Sequence, residues 1–160
     1  MSDGGSKVFM KRAFAIAVII AVFASVRVFA GSGIKWYTLH EGLERSAAEK
    51  KPMIVDFFYG KGCPRCEAMQ KYVYDDPAIA AKVMADFIPV RIDLTKKLTA
   101  EEERLGKRFD FKNDCLLLFL DHHGELINHP GGTRLCFVNK VDPDRFVKYL
   151  DTVTAGYRKN

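Results

Sequence analysis

The chain has 160 residues, which is enough for one domain of ordinary size and short for two. Six prolines and twelve glycines, with 48% apolar and 28% charged residues, exclude a collagen-like or low-complexity chain. The net charge of +5 arises mostly in residues 1–30, and the remaining 21 basic and 19 acidic residues argue against nucleic-acid binding.

The first 30 residues have the pattern of an export signal. An unbroken apolar run at residues 13–24 follows a basic start, and residues 28–30 (Val-Phe-Ala) precede Gly31 as at a cleavage site. The basic residues are Lys7, Lys11 and Arg12. The segment is either a cleaved signal peptide or, through residues 13–30, an uncleaved membrane anchor, and a buried helix is the remaining alternative. Because positive charges stay in the cytoplasm, we expect a periplasmic or otherwise extracytoplasmic domain.

Residues 31–35 form a predicted linker, and residues 36–160 a single domain that begins with a helix and a strand. Thr38 followed by Glu41 is a capping box. The expected inner face of this helix contains Leu39, Leu43 and Ala47. Residues 52–59 are β-forming and apolar except for Asp56, which is typical of a buried strand.

A turn and two helices should follow this strand. Residues 60–62 (Gly-Lys-Gly) are turn formers, and Pro64 at the favoured first helical position predicts a helix that begins at Cys63. Its expected inner face contains Cys66, Met69 and Val73. Asp76 and Pro77 predict a second helix that ends near residue 86 by the same reasoning.

The rest of the chain predicts a strand, a helix, a hairpin and a last helix. The strand covers residues 87–94, and Thr99 with Glu102 caps a helix that ends near Phe109. Residues 116–120 and 125–129 should pair across a turn at residues 121–124. Asp142 and Pro143 open the last helix. Its expected inner residues are Phe146, Val147, Leu150 and Val153. The order predicts an α/β fold with a mixed central sheet flanked by helices.

The segment Cys63-Pro64-Arg65-Cys66 lies where a predicted strand ends and a helix begins. Free N–H groups at the helix start favour a thiolate at Cys63, and the positive charges of Lys61 and Arg65 act in the same direction. Cys66 lies within the first turn, from which it can attack a mixed disulfide on Cys63. The pattern therefore predicts a redox-active pair. A structural disulfide or half of a zinc site are the alternatives, but no second metal-binding pair is found, so no metal or cofactor is expected.

Residues 56–66 and the order of elements resemble the thioredoxin superfamily, and more narrowly exported thioredoxin-like proteins of the SoxW type and the C-terminal domain of the disulfide reductase DsbD. The resemblance covers roughly residues 36–154. It implies that Cys63 is the attacking thiol and Cys66 the resolving thiol. It also implies that Asp56 is a buried acid that assists proton transfer to the inner cysteine.

Two departures from the family pattern lie beside the predicted site. Gly62 stands where the family has a tryptophan. The family's cis-proline before the strand is also missing, and Cys115 takes its position, with Asp114 beside it as part of the active-site flank. A non-proline cis bond costs about 3 kcal/mol, so the loop is expected to be trans or remodelled.

Cys115 and Cys136 complete the set of four cysteines, which allows three pairings. In an oxidising compartment we favour 63–66 with 115–136. Otherwise Cys115 exchanges with Cys63 or helps to bind a soft metal such as Cu(I).

The leading hypothesis is a periplasmic thiol–disulfide oxidoreductase, and resemblance to reductive relatives favours a reductase. Its partners would be protein disulfides and an upstream thiol electron donor, either soluble or in the membrane. The alternatives are a Cu(I)-binding or delivery module that uses Cys63, Cys66 and Cys115, and a redox-inactive interaction domain.

Overall fold

A computed structural model describes residues 33–110, 117–127 and 141–158, together with the backbone of residues 134–135. All of these described residues belong to one compact unit. The predictions on the leader, Asp114, Cys115 and Cys136 lie outside the described residues. Within the described part of the chain, no helix has both the length and the apolar character that a membrane crossing requires.

The described helices begin at the residues that the capping signals indicate. They are α1 (Leu39–Glu49), α2 (Pro64–Met69), α3 (Pro77–Asp86), α4 (Ala100–Arg108) and α5 (Pro143–Tyr157). Thr38 and Thr99 each form a full capping box, with Glu41 and Glu102 respectively. Helices α2, α3 and α5 begin with proline, which lacks the N–H that a first helical residue leaves unbonded.

Four strands form one mixed sheet in the order β2-β1-β3-β4. They are β1 (Met53–Phe58), β2 (Ile88–Asp93), β3 (Leu117–Leu120) and β4 (Arg134–Leu135). Strands β1 and β2 are parallel, and β3 is antiparallel to both β1 and β4. The predicted α/β class and mixed sheet are confirmed.

The two faces of β1 contribute to different parts of the core. Ile54 packs in a cluster with Met69 and Val73, which follow the cysteine pair, and with side chains of α5. Val55 and Phe57 belong to a second cluster, which contains Leu39 of α1. Because successive side chains of a strand point to opposite faces, Asp56 shares the face of Ile54. The strand thus places its one acidic side chain on the side of the sheet that carries α2.

The inner face of α1 differs from the prediction. Leu39 is buried and Leu43 is partly buried against the same cluster, as expected, but Ala47 is exposed and the other buried positions are Gly42 and Ser46. Ser46 is buried because its hydroxyl donates to the carbonyl of Lys51. Gly42 packs against Val90 with no room for a larger side chain. Serine and glycine thus occupy two buried positions of this helix, and a search for periodic apolar side chains does not find them.

The residues that pair with β3 differ from those of the predicted hairpin. The turn forms, Leu120 pairs with Leu126, and Ile127 N donates to Phe119 O at 2.9 Å. Leu118 then pairs with Arg134, whereas a regular hairpin over residues 125–129 would place residue 128 there. Residues 130–132 are Pro-Gly-Gly, which disfavours an uninterrupted strand.

The outer edge of β2 is partly covered by the chain that precedes α1. Tyr37 N donates to Pro89 O at 2.9 Å, and Arg91 N donates to Tyr37 O at 3.0 Å. The contact is a single parallel bridge between Tyr37 and Val90. It brings Trp36 next to the side chain of Arg91.

Candidate active site

A tight turn carries the chain from β1 to the cysteine pair. Gly60 and Gly62 have φ angles of +78° and +90°, which glycine adopts without the strain that a side chain would add. Cys63 is the N-cap of α2 and Pro64 its first residue. Cys63 and Cys66 form a disulfide with their Cα atoms 5.2 Å apart.

The sulfur of Cys63 accepts a hydrogen bond from the helix. The backbone N–H of Cys66 lies 3.2 Å from Cys63 Sγ, in the position where an N-cap oxygen normally accepts. A hydrogen bond of this kind stabilises a sulfur that carries negative charge more than a neutral thiol. The local geometry therefore favours Cys63 as the thiolate. Both cysteines are half-buried in the disulfide form, so the burial of these side chains does not distinguish the attacking from the resolving residue.

The side chain of Glu67 completes the start of this helix. Its Oε1 accepts a hydrogen bond from Gly62 N at 2.9 Å. A carboxylate thus lies at the residue directly before Cys63. Lys61 is exposed on the turn before Cys63, and Arg65 is half-buried in the first turn of α2.

Asp56 forms an ion pair with an arginine on the neighbouring strand. The side chains of Asp56 and Arg91 are exposed to only 15% and 18%, and both Nε and Nη2 of Arg91 lie 3.0 Å from Asp56 Oδ2. Burial raises the pKa of Asp56 to about 6, and Arg91 opposes this by attraction and hydrogen bonding. Burial outweighs the ion pair, so Asp56 can take up or release a proton close to neutral pH.

Aromatic rings enclose the guanidinium of Arg91. The carbon Cζ lies 4.0 Å from the ring centre of Trp36, 4.7 Å from that of Phe58 and 5.3 Å from that of Tyr74. Arg91 Nη1 also donates to Gln70 Oε1 at 3.2 Å. Arg91 thus connects Asp56 to the helix that carries the cysteines. Neither Arg91 nor Gln70 was predicted as a site residue from the sequence, in which Arg91 and Asp93 alternate with the apolar residues of their strand.

The helix after the cysteines widens at the point where it meets Arg91. Residues Gln70–Tyr74 form a π-helical turn that continues α2. The turn buries two successive residues, Val73 and Tyr74, which a regular helix would direct about 100° apart. Such turns are rare and often occur at functional sites.

The described residues include no group of three or more His, Cys, Asp or Glu side chains arranged to hold a metal ion. The Cu(I) alternative needs Cys115, which lies outside the described residues. A zinc ligand must be a free thiolate, so a zinc site at Cys63 and Cys66 would require the reduced form of this pair.

A disulfide at the start of a helix, which follows a buried strand that carries an acid in a mixed sheet, is typical of a thioredoxin-like fold. The chain belongs to the thioredoxin-like family, whose sequence model matches residues 35–121. The family assignment confirms the resemblance on which the roles of Cys63 and Cys66 rest.

Among curated proteins, the chain is similar to the thiol:disulfide interchange protein DsbD of Vibrio vulnificus strains CMCP6 and YJ016. The identity is 33% over 67 residues, which is 42% of this chain and 11% of each relative. The chain thus matches only about a tenth of the length of these relatives.

Solved structures that share the fold include the following three. The DsbH oxidoreductase has a TM-score of 0.63 at 20% identity, over 82% of this chain and 91% of its own. A putative disulphide-isomerase from Bacteroides thetaiotaomicron has 0.56 at 24%, over 81% and 97%. A thioredoxin from Thermus thermophilus has 0.56 at 22%, over 76% and 87%.

Proposed function

We propose that the protein reduces disulfide bonds in other proteins and works outside the cytoplasm. The observation that carries the proposal is the Cys63–Cys66 disulfide, in which Cys63 Sγ accepts the N–H of Cys66 at the start of α2. The similarity to the interchange protein DsbD supports disulfide exchange, and the resemblance of residues 56–66 to reductive thioredoxin-like proteins supports the reducing direction.

In the proposed reaction, the Cys63 thiolate attacks one sulfur of a substrate disulfide, and the other substrate sulfur leaves as a thiolate that takes up a proton. Cys66 then attacks Cys63 in the mixed disulfide, which releases the second substrate sulfur. Two electrons pass to the substrate and Cys63–Cys66 becomes the disulfide.

Asp56 is the proposed acceptor of the proton that Cys66 loses when it attacks. It lies on the face of the sheet that carries α2, and its pKa of about 6 suits proton exchange near neutral pH. The proton returns when an upstream dithiol reduces the pair again. That donor is a required partner, because the disulfide cannot be reduced without two electrons from outside.

The proposed extracytoplasmic location is supported by the basic and apolar pattern of residues 1–30. A reporter that is active only after export, fused after residue 40, tests it. Activity of the fusion is expected, whereas activity of a reporter that works only in the cytoplasm would contradict the location. A leader retained as an anchor would leave the fusion in the membrane fraction.

Reduction of insulin with dithiothreitol as electron donor tests the activity. The wild-type chain should accelerate insulin precipitation and the Cys63→Ser variant should not. Copper analysis of the reduced protein is carried out beside this assay. Stoichiometric Cu(I) binding without insulin reduction would favour a metal carrier, and neither activity would favour an interaction domain.

A further inference from the structure

The start of α2 contains a reciprocal pair of hydrogen bonds in which a sulfur replaces the usual oxygen. In a capping box, the N-cap side chain accepts the N–H of the third helical residue, whose own side chain returns to the N-cap N–H. Here Cys63 Sγ accepts the N–H of Cys66, the third residue of α2. The returning side chain is that of Glu67, the fourth residue, and it binds the N–H of Gly62.

This arrangement has two opposite effects on Cys63. The hydrogen bond that Gly62 N–H donates to Glu67 fixes the turn at Gly62, a residue with φ of +90° and no side chain to hold it in place. The fixed turn keeps Cys63 Sγ close to the N–H of Cys66. The carboxylate of Glu67, however, places negative charge beside the residue that must become a thiolate. Like charges disfavour each other's ionised forms.

The charge of Glu67 acts on the redox equilibrium as well as on the thiol. A dithiol form with a stabilised thiolate makes a protein oxidising, and one with a destabilised thiolate makes it reducing. Lys61 and Arg65 flank Cys63 with positive charge and act in the oxidising direction. Glu67 is the acidic residue in the first turn of α2 and opposes them.

We propose that Glu67 is a positioning residue that fixes the turn before Cys63 and, through its charge, makes the Cys63–Cys66 pair more reducing. The proposal rests on the redox role of this pair and assigns its direction to a named side chain. The effect of the charge can be separated from the effect of the hydrogen bond in the Glu67→Gln variant, because glutamine keeps an acceptor oxygen at the same place without the charge.

The test compares the wild-type chain with Glu67→Gln, Glu67→Ala and the control Glu125→Gln. Glu125 is also an exposed glutamate, but it follows β3, which runs antiparallel to β1, and so lies at the opposite end of the sheet. The pKa of the Cys63 thiol is read from the pH dependence of its alkylation by iodoacetamide. Peptide mapping by mass spectrometry measures the alkylation of Cys63 separately from that of the other cysteines.

The second readout is the equilibrium with glutathione, in which two glutathione thiols supply two electrons and two protons to the disulfide and become oxidised glutathione. Glu67→Gln should lower the pKa of Cys63 and shift this equilibrium about threefold to tenfold toward the dithiol. The shift should shrink at high salt because the charge is exposed. Glu125→Gln should change neither quantity.

Glu67→Ala should show the same charge effect and also faster amide hydrogen exchange at Gly62, which Glu67→Gln should not show. A Cys63 pKa and a glutathione equilibrium that are both unchanged in Glu67→Gln would overturn the proposal. If no chain exchanges with glutathione at all, the redox function fails, while the pKa of Cys63 still decides whether Glu67 acts on this thiol.

Discussion

The Nε and Nη2 atoms of Arg91 both lie 3.0 Å from the Oδ2 atom of Asp56, across directly paired positions of two parallel strands. The pair is largely shielded from water, and the aromatic ring of Trp36 stacks on the guanidinium. Burial of both charges is costly, and removal of one partner leaves the other uncompensated. The free energy of unfolding of the domain should therefore depend on the protonation state of Asp56.

The Asp56→Asn variant should become more stable relative to the wild-type chain as the pH rises. Because burial raises the pKa of Asp56 from 3.8 to about 6, the folded chain holds this proton more tightly than the unfolded chain. The stability this contributes is present at low pH and is lost as the pH rises through the folded pKa. Between a pH below 3.8 and a pH above 6, the difference in free energy of unfolding between the two chains should change by about 3 kcal/mol. Urea unfolding from pH 3 to 8 measures it, and a constant difference would refute the raised pKa.

The Arg91→Met variant should lose stability in a pH-dependent way. At pH 7 it leaves the carboxylate of Asp56 buried without its partner, which costs about 3–5 kcal/mol. At pH 4 the carboxyl is mostly protonated and the loss should be smaller. Arg91→Lys keeps a positive charge and should lose less at pH 7. Equal losses at both pH values would mean that Arg91 contributes by packing alone.

The two active-site cysteines should give different variants. Cys63→Ser should abolish turnover, since the attacking thiolate is lost. Cys66→Ser should accumulate mixed disulfides with substrates, because no thiol resolves them. Non-reducing electrophoresis with mass spectrometry identifies the trapped species. Mixed disulfides on Cys66 in the Cys63→Ser chain, rather than the reverse, would exchange the two assigned roles.

The Gly60→Ala variant should be more destabilised than Gly62→Ala. Both residues have positive φ, for which a side chain costs about 1–2 kcal/mol. At Gly60 the added Cβ would also lie 2.6 Å from Thr95 Cγ2, whereas at Gly62 no atom lies within 4 Å. Thr95→Ser removes that methyl group and keeps a hydroxyl for Asp93, to which Thr95 is hydrogen-bonded. Thermal unfolding should show that Thr95→Ser restores part of the loss in Gly60→Ala and none in Gly62→Ala.

The oxidised chain should contain a second disulfide between Cys115 and Cys136. Four cysteines in an oxidising compartment favour two pairs, and Cys63 with Cys66 form one of them. Digestion without reduction, followed by mass spectrometry, should give one linked peptide pair for each. A free thiol at Cys115 in the fully oxidised chain would instead leave it available for exchange with Cys63.

Local signals predicted much of the fold. Thr38 with Glu41 and Thr99 with Glu102 form their capping boxes as expected, because the partners lie three residues apart. The N-cap position of Cys63 follows equally from Pro64 at the next residue. The sequence alone also predicted β1 and the position of Asp56, since a charged residue within an apolar run is readily recognised.

Contacts between distant residues were not predictable in this way. Arg91 looked like the polar residue of an alternating strand, and only the parallel register of β1 and β2 places it opposite Asp56, 35 residues earlier. The π-helical turn that brings Gln70 to Arg91 has no reliable sequence signal. The hydrogen bond from Gly62 to Glu67 is local, but it spans two residues more than the capping-box pattern that would have suggested it.

The bridge at Tyr37 sets a limit on how far the chain can be shortened. Strand β2 lies at the end of the sheet, and an uncovered edge strand can pair with another chain and aggregate. The segment before Thr38 bonds to this edge through Tyr37, and Trp36 covers Arg91 at the same place. A fragment that begins at Thr38 would keep the start of α1 and yet expose both the edge and the charge. Recombinant fragments of this domain should therefore begin upstream of Trp36.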